Sequence, residues 1–274
     1  MEAVVDGDQP GLEAMLRGDP GLARARSERV THFDPPVHRA TLLHYVAANG
    51  VESHRQRTPA NAAAIATALL DAGADADATA SLYGGECTVM SMLVSSCHPA
   101  NAGVQCALID LLVDRGAAVE SRGEGRWTSP LMAALAFSYL DAARTLVRRG
   151  ARVDHVAAAA GLNLVGQMRR LLPESDADSR HRALALAGQM GHTEAARLLL
   201  DTGEDPDRYN PAGLHAHATP LHHAALAGHL ETVRLLAERG ARLDIRDKLW
   251  DATPLGWAIH GGRNDVEAWL RSRG

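Results

Sequence analysis

The stretch "ATPLHHAALAGHLETVRLLAERGARLD", residues 218–244, sets a pattern that much of the chain repeats. A second copy, "ATPLGWAIHGGRNDVEAWLRSRG", occupies residues 252–274, and a third, "TSPLMAALAFSYLDAARTLVRRGARVD", occupies residues 128–154. The Thr-Pro pairs that open the first two copies begin at Thr219 and Thr253, which are 34 positions apart. A fixed period of this size indicates an array of structural repeats.

Each copy predicts two helices and an exposed hairpin. Thr219 is a good helix cap, and Pro220 suits the first helical position, where its missing N–H costs nothing. Gly228 breaks this first helix, and apolar residues at helical spacing between 230 and 237 predict a second one. Gly240 is the expected left-handed residue that ends the second helix. The polar, turn-like residues that follow predict the hairpin.

The motif at residues 219–225, T-P-L-H-H-A-A, resembles the T-P-L-H-x-A-A signature of ankyrin repeats, and the period of 34 is close to that family's repeat length. Residues 253–258 are a second near-complete signature, with Gly256 where the family has His. Weaker copies extend the resemblance over nearly the whole chain, at 7–26, 40–50, 87–96, 155–175 and 181–203. The resemblance implies an all-α ankyrin-repeat α-solenoid of about eight helix–loop–helix units with hairpin fingers.

We expect one ankyrin-repeat domain over residues 1–274. Its expected parts are a truncated N-terminal cap unit, two long irregular repeats, a run of more regular repeats and a C-terminal cap repeat, at 1–30, 31–121, 122–246 and 247–274. No stretch reaches the roughly 18 apolar residues of a membrane helix. The acidic start also lacks an apolar secretory core, so the sequence predicts a cytoplasmic location and no membrane partner.

Composition limits the classes of partner and of metal site that fit this chain. A net charge of −5 and a pI near 6.3 argue against a nucleic-acid partner, which selects for basic surfaces. The spacing of Cys87, Cys97 and Cys106 matches no zinc pattern, which favours free thiols in a reducing cytosol. Lys248 is the only lysine, and this preference for Arg, with abundant Ala, is typical of proteins from GC-rich bacterial genomes.

Two early repeats are too long. Their extra residues, 49–64 and 95–105, fall between the first and second helix of each unit, and Pro in each insert predicts a restart of the second helix. Insertions at one place in adjacent repeats map to one face, often a working face. Four polar side chains in these inserts are candidates for a functional cluster: His54, Arg55, Arg57 and His98. The alternative is a solvated loop that shields a helix end.

A longer hairpin at 205–221 carries His215 and His217, which precede His222 and His223. Imidazole suits zinc, copper or nickel, so this cluster is the chain's best candidate for a metal site. The resemblance, however, implies that the His of T-P-L-H makes structural hydrogen bonds, which removes His222 from the candidate metal ligands. No H-E-x-x-H arrangement occurs either, and we expect no metal and no cofactor.

Aromatic residues make up only 4% of the chain, so their placement is informative. The resemblance implies a concave groove lined by the hairpin tips and by the variable position of each signature. These positions hold Phe33, Tyr45, Tyr83, Trp127, Tyr209, His223, Trp250 and Trp257. Because Tyr and Trp often anchor binding interfaces, the set predicts a recognition groove. The alternative is that each ring packs on a neighbouring hairpin and stiffens the array.

Two functions follow. The first is a binding scaffold that recognises a protein or peptide in the concave groove. The second is a metal-free, cofactor-free enzyme for a small apolar molecule, catalysing acid–base dehydration, isomerisation or cyclisation. Its candidate groups are Tyr45, His38, Glu86, His223 and His260, and a closed pocket of roughly 300 Å³ or more between the early hairpins would favour it. Phosphate-binding loops and nucleophile elbows are absent from the sequence.

Overall fold

A computed structural model describes residues 1–29, 36–120 and 129–273. The chain forms two compact units, Met1–Arg152 and Val153–Gly274, and each is built from consecutive helix pairs. The helix pairs confirm the predicted ankyrin-repeat architecture. The prediction of a single domain with the boundaries given above stays a prediction.

The first unit contains nine α-helices within its described residues. They are α1 (Glu2–Val5), α2 (Gln9–Gly18), α3 (Leu42–Ala47), α4 (Ala62–Asp71), α5 (Val89–Val94), α6 (Cys97–Asn101), α7 (Gln105–Asp114), α8 (Pro130–Ala136) and α9 (Leu140–Arg148). Short 3-10 helices span Pro20–Arg24 and Ser53–Arg55. One hairpin pairs β1 (Thr79–Leu82) antiparallel with β2 (Gly85–Thr88), and Thr79 lies opposite Thr88.

The second unit contains eight α-helices within its described residues. They are α10 (Val156–Gly161), α11 (Val165–Leu171), α12 (Ala177–Met190), α13 (Thr193–Asp201), α14 (Pro220–Ala227), α15 (Leu230–Glu238), α16 (Pro254–His260) and α17 (Asn264–Arg271). A 3-10 helix spans Leu172–Glu174, where Pro173 replaces the usual closing glycine.

The first helices begin as the sequence predicts. Thr219 and Thr253 cap α14 and α16, and a proline follows each of them. Ser129 caps α8 in the same way, since its side chain accepts a hydrogen bond from the backbone N–H of Met132. Gly228 then ends α14 with a φ of +87°, a left-handed conformation that glycine adopts without a steric cost.

Small residues let neighbouring first helices pack closely. Ala224, Ala225 and Ala258 are fully buried where α14 and α16 meet. Gly188 in α12 faces α14 so closely that an added Cβ would lie 2.9 Å from the carbonyl oxygen of Pro220. The core is therefore built mainly from Ala and Leu, and each fully buried Leu contributes about 2 kcal/mol through the hydrophobic effect.

The two inserts fold differently from one another. In the first, α4 restarts at Ala62, shortly after Pro59, as the sequence predicts. In the second insert the predicted restart of the second helix at Pro99 is wrong. The residues around Pro99 form a separate short helix, α6, with Pro99 buried, and the second helix, α7, begins only at Gln105. The left-handed Gly103, with a φ of +71°, lies between the two helices.

Candidate functional site

The most exposed large apolar side chains of the second unit stand together on one hairpin. Trp250 is 67% exposed and Leu249 is 64% exposed. They lie in the turn of residues 247–252, here called the Trp250 hairpin, which connects Ile245 and Arg246 to the start of α16. Apolar side chains presented in this way are typical of protein-binding surfaces.

Asp247 holds the Trp250 hairpin in shape. Its carboxylate, 3% exposed, accepts hydrogen bonds from the backbone N–H groups of Leu249 (2.8 Å), Trp250 (2.7 Å) and Ala252 (3.1 Å). It also accepts one from Nε1 of Trp257 at 2.9 Å. Burial by itself would raise the pKa of Asp247, but these hydrogen bonds outweigh it and hold the pKa below its usual range.

Aromatic and imidazole rings support Trp250 from behind. The Trp250 and Trp257 ring centroids are 5.9 Å apart, and His217 meets Trp250 edge-on at 5.0 Å. His223 contacts Trp257 at 5.5 Å and His215 at 5.0 Å. The exposed indole therefore stands on a packed base, so little conformational entropy remains to be lost when a partner covers it.

His223 is neutral in this arrangement. Burial, followed by the nearby His215, His222 and His217, lowers the pKa of His223 to about 3. Its Nε2 atom is buried with no hydrogen-bond partner. The side chain is 5% exposed, so the expectation that it faces an open groove is wrong, because the rings of His215 and Trp257 cover it. Trp257 is 6% exposed, and the same expectation is wrong for it, because its ring packs against those of His222 and Trp250.

His222 is structural, as the resemblance implies. Its Nδ1 atom accepts from the backbone N–H of Thr219 at 3.3 Å, and its Nε2 atom donates to the carbonyl of Ala252 at 3.1 Å. His44 has the same role in the first unit, with Thr41 and the carbonyl of Cys87 as partners. These two histidines join each first helix to the next hairpin. Among the described residues, no group of three or more His, Cys, Asp or Glu is placed to hold a metal ion.

Tyr209 lies on the preceding hairpin of the same unit. Its hydroxyl donates to the carbonyl of Arg246 at 2.6 Å, and Nζ of Lys248 lies 3.9 Å from its ring centroid. Tyr209 thus stacks between hairpins, with part of its ring still accessible. This packing matches the alternative in which the ring stiffens the array, and a groove role for Tyr209 stays a prediction.

Tyr83 and Tyr45 belong to the first unit. Tyr83 is 45% exposed at the turn between β1 and β2, and its hydroxyl donates to Asn49 at 2.9 Å. Tyr45 is only 2% exposed, so its expected place on an open groove is wrong. The reason is that the first insert covers it, and its hydroxyl donates to Glu52 at 2.8 Å. Phe33 and Trp127, the other predicted groove residues, lie outside the described residues.

The insert residues mainly fasten the first insert to the N-terminal helix. Arg55 is buried and donates to Glu52 at 2.8 Å and, through Nε, to Glu2 at 2.8 Å. Arg57 pairs with Asp6. His54 is exposed, and His98 lies half-buried in α6. Arg55 and Arg57 have well-defined structural partners, which matches the loop-shielding alternative for these two side chains.

The acid–base candidates have structural partners or lie on the surface. Burial raises the pKa of Tyr45 to about 12. The Nδ1 atom of His38 contacts the carbonyl of Gly50, and Glu86 accepts from Ser81 at 2.5 Å. His260 is exposed at the end of α16. A cavity of about 630 Å³ in the second unit lies between α15 and α17, and its lining includes neither these four residues nor His223.

Asp247 and Leu249 were not predicted as site residues from the sequence. Asp247 carries no motif of its own, but an Asp two residues before an exposed Leu-Trp pair is a turn signal that could have identified it. Within the described residues, none of the helices combines the length and the hydropathy that crossing a membrane requires.

The fold and the surface define a helical repeat protein that presents hairpins for protein binding. A family profile and the first of the relatives named below support this class. A profile of ankyrin repeats (three copies) matches residues 212–274. The chain is 37% identical over 129 residues to human cyclin-dependent kinase 4 inhibitor B, an alignment that covers 45% of this chain and 89% of that protein.

It is also 36% identical over 124 residues to human cyclin-dependent kinase inhibitor 2A, covering 43% of this chain and 76% of that protein. Among solved structures, the ankyrin-repeat domain of human ASB11 aligns with a TM-score of 0.49 and 19% identity, covering 100% of this chain and 96% of that one. The chain belongs to the ankyrin-repeat family, and it is a protein-binding scaffold.

Proposed function

We propose that the Trp250 hairpin is the main contact through which this scaffold holds its protein partner. The observation that carries the proposal is the exposure of Trp250 and Leu249 on a turn that Asp247 fixes through four hydrogen bonds. Binding hot spots combine a large aromatic side chain with a rigid, packed surround. Tyr209, on the preceding hairpin of the same unit, is proposed as a further contact.

The partner is proposed to be a protein or a peptide. Two relatives are named as inhibitors of cyclin-dependent kinases, which are proteins, and this supports a macromolecular partner over a small molecule. The geometry supports the same choice, since Leu249 and Trp250 project outward rather than line a closed pocket.

We also propose a cytoplasmic location, supported by three free cysteines, of which Cys97 is exposed. Exposed free thiols persist in a reducing compartment. The Arg-rich composition supports a bacterial source, although the relatives named above are human proteins and lend it no support.

The test compares three forms of the full chain: wild type, Trp250→Ala and Met15→Ala. Met15 is 46% exposed and lies in α2 of the first unit, so it is a matched control for removing an exposed apolar side chain. Each immobilised form is incubated with host lysate, and the captured proteins are quantified by mass spectrometry. Retained folding of each variant is checked by circular dichroism.

We expect one captured protein to bind Trp250→Ala at least tenfold more weakly, because loss of a hot-spot Trp costs about 2 kcal/mol or more. Met15→Ala should capture it as wild type does. Equal capture by all three forms would show that the Trp250 hairpin is not the contact.

A further inference from the structure

Three repeats of the chain share an ion pair between their second helices. An Arg directly before the closing glycine pairs with an Asp two residues before the closing glycine of the preceding repeat. The pairs are Arg115 with Asp71 (2.7 Å), Arg149 with Asp114, and Arg239 with Asp201 (2.6 Å). This position in the repeat therefore accepts a carboxylate beside a guanidinium group.

The last repeat departs from this rule. Its corresponding residues are Arg273 and Glu238, and within the described part of the chain neither of them forms an ion pair. The guanidinium of Arg273 instead lies 5.4 Å from the ring centroid of Trp269. A cation that elsewhere in the chain meets a carboxylate is therefore available here, above an aromatic face.

A cleft opens at the same place. It has a volume of about 630 Å³ and lies between α15 and α17. Its apolar lining comes from Ala237, Ala241, Leu243 and the Trp269 ring, and its charged lining comes from Arg234, Glu238 and Arg273. This volume is within the range of roughly 300–1,000 Å³ that is typical of ligand sites.

Arg234 adds a second positive charge to the lining, and one of its terminal nitrogens pairs with Glu231 at 3.0 Å. Two guanidinium groups face one carboxylate in the cleft, so its charge favours an anion.

We propose that this cleft binds an acidic peptide segment, in which a carboxylate follows or precedes an apolar residue. The ligand carboxylate pairs with the guanidinium of Arg273, as Asp71, Asp114 and Asp201 pair with the Arg of the following repeat. The apolar side chain packs on Trp269 and Leu243. This site shares no residue with the Trp250 hairpin, and it holds or fails independently of the proposed function.

The experiment uses the full chain with ¹⁵N-labelled indoles, followed by NMR. The Nε1–H resonance of Trp269 is assigned by its loss in Trp269→Phe. Two probes that differ by one charge are titrated: acetyl-Phe-Asp-amide and acetyl-Phe-Asn-amide. We expect a saturable shift of the Trp269 resonance with the Asp peptide, and at least tenfold weaker binding of the Asn peptide. The affinity for the Asp peptide should fall as salt is added.

Three variants test the assignment of charges. Arg273→Gln should weaken binding of the Asp peptide at least tenfold. Arg271→Gln is the matched control, because Arg271 pairs with Glu267, and it should leave the affinity for the Asp peptide within twofold of wild type. Glu238→Gln should tighten binding, because it removes the competing carboxylate. Equal affinity for both peptides, no saturable shift, or weaker binding by Glu238→Gln would each overturn the proposal.

Discussion

Asp247 shows how one buried carboxylate organises a surface that it does not itself reach. Its oxygens satisfy three backbone N–H groups of the turn and the indole N–H of Trp257. These bonds fix the positions of Leu249 and Trp250, the two side chains proposed to meet a partner. Charge-assisted hydrogen bonds of this kind are stronger than neutral ones, so the turn depends on the ionised form of Asp247.

Asp247→Asn should destabilise the second unit by about 2–3 kcal/mol. The amide keeps one acceptor oxygen but turns its NH₂ group toward N–H donors that then lose their partner. The measurement is urea unfolding followed by tryptophan fluorescence. Asp244→Asn is the matched control, since Asp244 is exposed and pairs with Arg242 in the same hairpin region. Exposed ion pairs contribute little to stability, so this variant should unfold at nearly the wild-type urea concentration. Equal losses in the two variants would contradict the role assigned to Asp247.

Residue by residue, the sequence predicted the repeated parts of the site better than the unique ones. His222 and the cap at Thr219 follow from a motif, and the structure confirms both. The burial of Tyr45 does not follow from a motif, because it depends on Glu52 in an insert that interrupts the period. The hydrogen bond between Arg55 and Glu2 joins residues 53 positions apart, and a local sequence pattern cannot predict such a contact.

At the scale of elements, close helix packing explains one departure from the signature. Gly188 in α12 stands where the signature has Ala, and its Cα faces the backbone of Pro220 at the start of α14. The sequence shows only a glycine inside a helical pattern, which by itself indicates a weak helix. The structure supplies the reason, since only a residue without a side chain fits at this approach of two helices.

Gly188→Ala should therefore destabilise the second unit, although Ala favours helix formation by about 1 kcal/mol. The added Cβ would lie 2.9 Å from the carbonyl oxygen of Pro220, and backbone atoms cannot move aside as a flexible side chain can. We expect a net loss of about 1–3 kcal/mol, typical of overpacking, in thermal or urea unfolding.

Gly166→Ala is the matched control in the same unit. Gly166 lies in α11, and no atom lies within 4 Å of its added Cβ. Only the helix propensity then acts, and stability should rise by up to about 1 kcal/mol. Opposite signs for the two substitutions are the expected result. A gain of stability in both would show that α12 and α14 are farther apart than described.

At the scale of the whole molecule, buried histidines make stability depend on pH. Burial lowers the pKa of His44 to about 4 and that of His223 to about 3, from an ordinary value of 6.5. Burial also lowers the pKa of His222 and His229. Between pH 6.5 and pH 4 the unfolded chain therefore binds more protons than the folded chain. The stability that these histidines contribute is therefore fully present above pH 6.5. The free energy of unfolding falls as the pH is lowered through this window.

His223→Leu isolates one of these groups, because the Nε2 atom of His223 has no hydrogen-bond partner to lose. The slope of unfolding free energy against pH should become shallower between pH 6 and pH 4, by up to about 1.4 kcal/mol per pH unit, the contribution of one proton. Met15→Ala, which changes an exposed side chain with no titrating group, is the control and should keep the wild-type slope. Urea titrations at several pH values measure both slopes. An unchanged slope in His223→Leu would mean that His223 binds its proton in the folded chain as readily as in the unfolded chain. The imidazole would then be open to water well above pH 3.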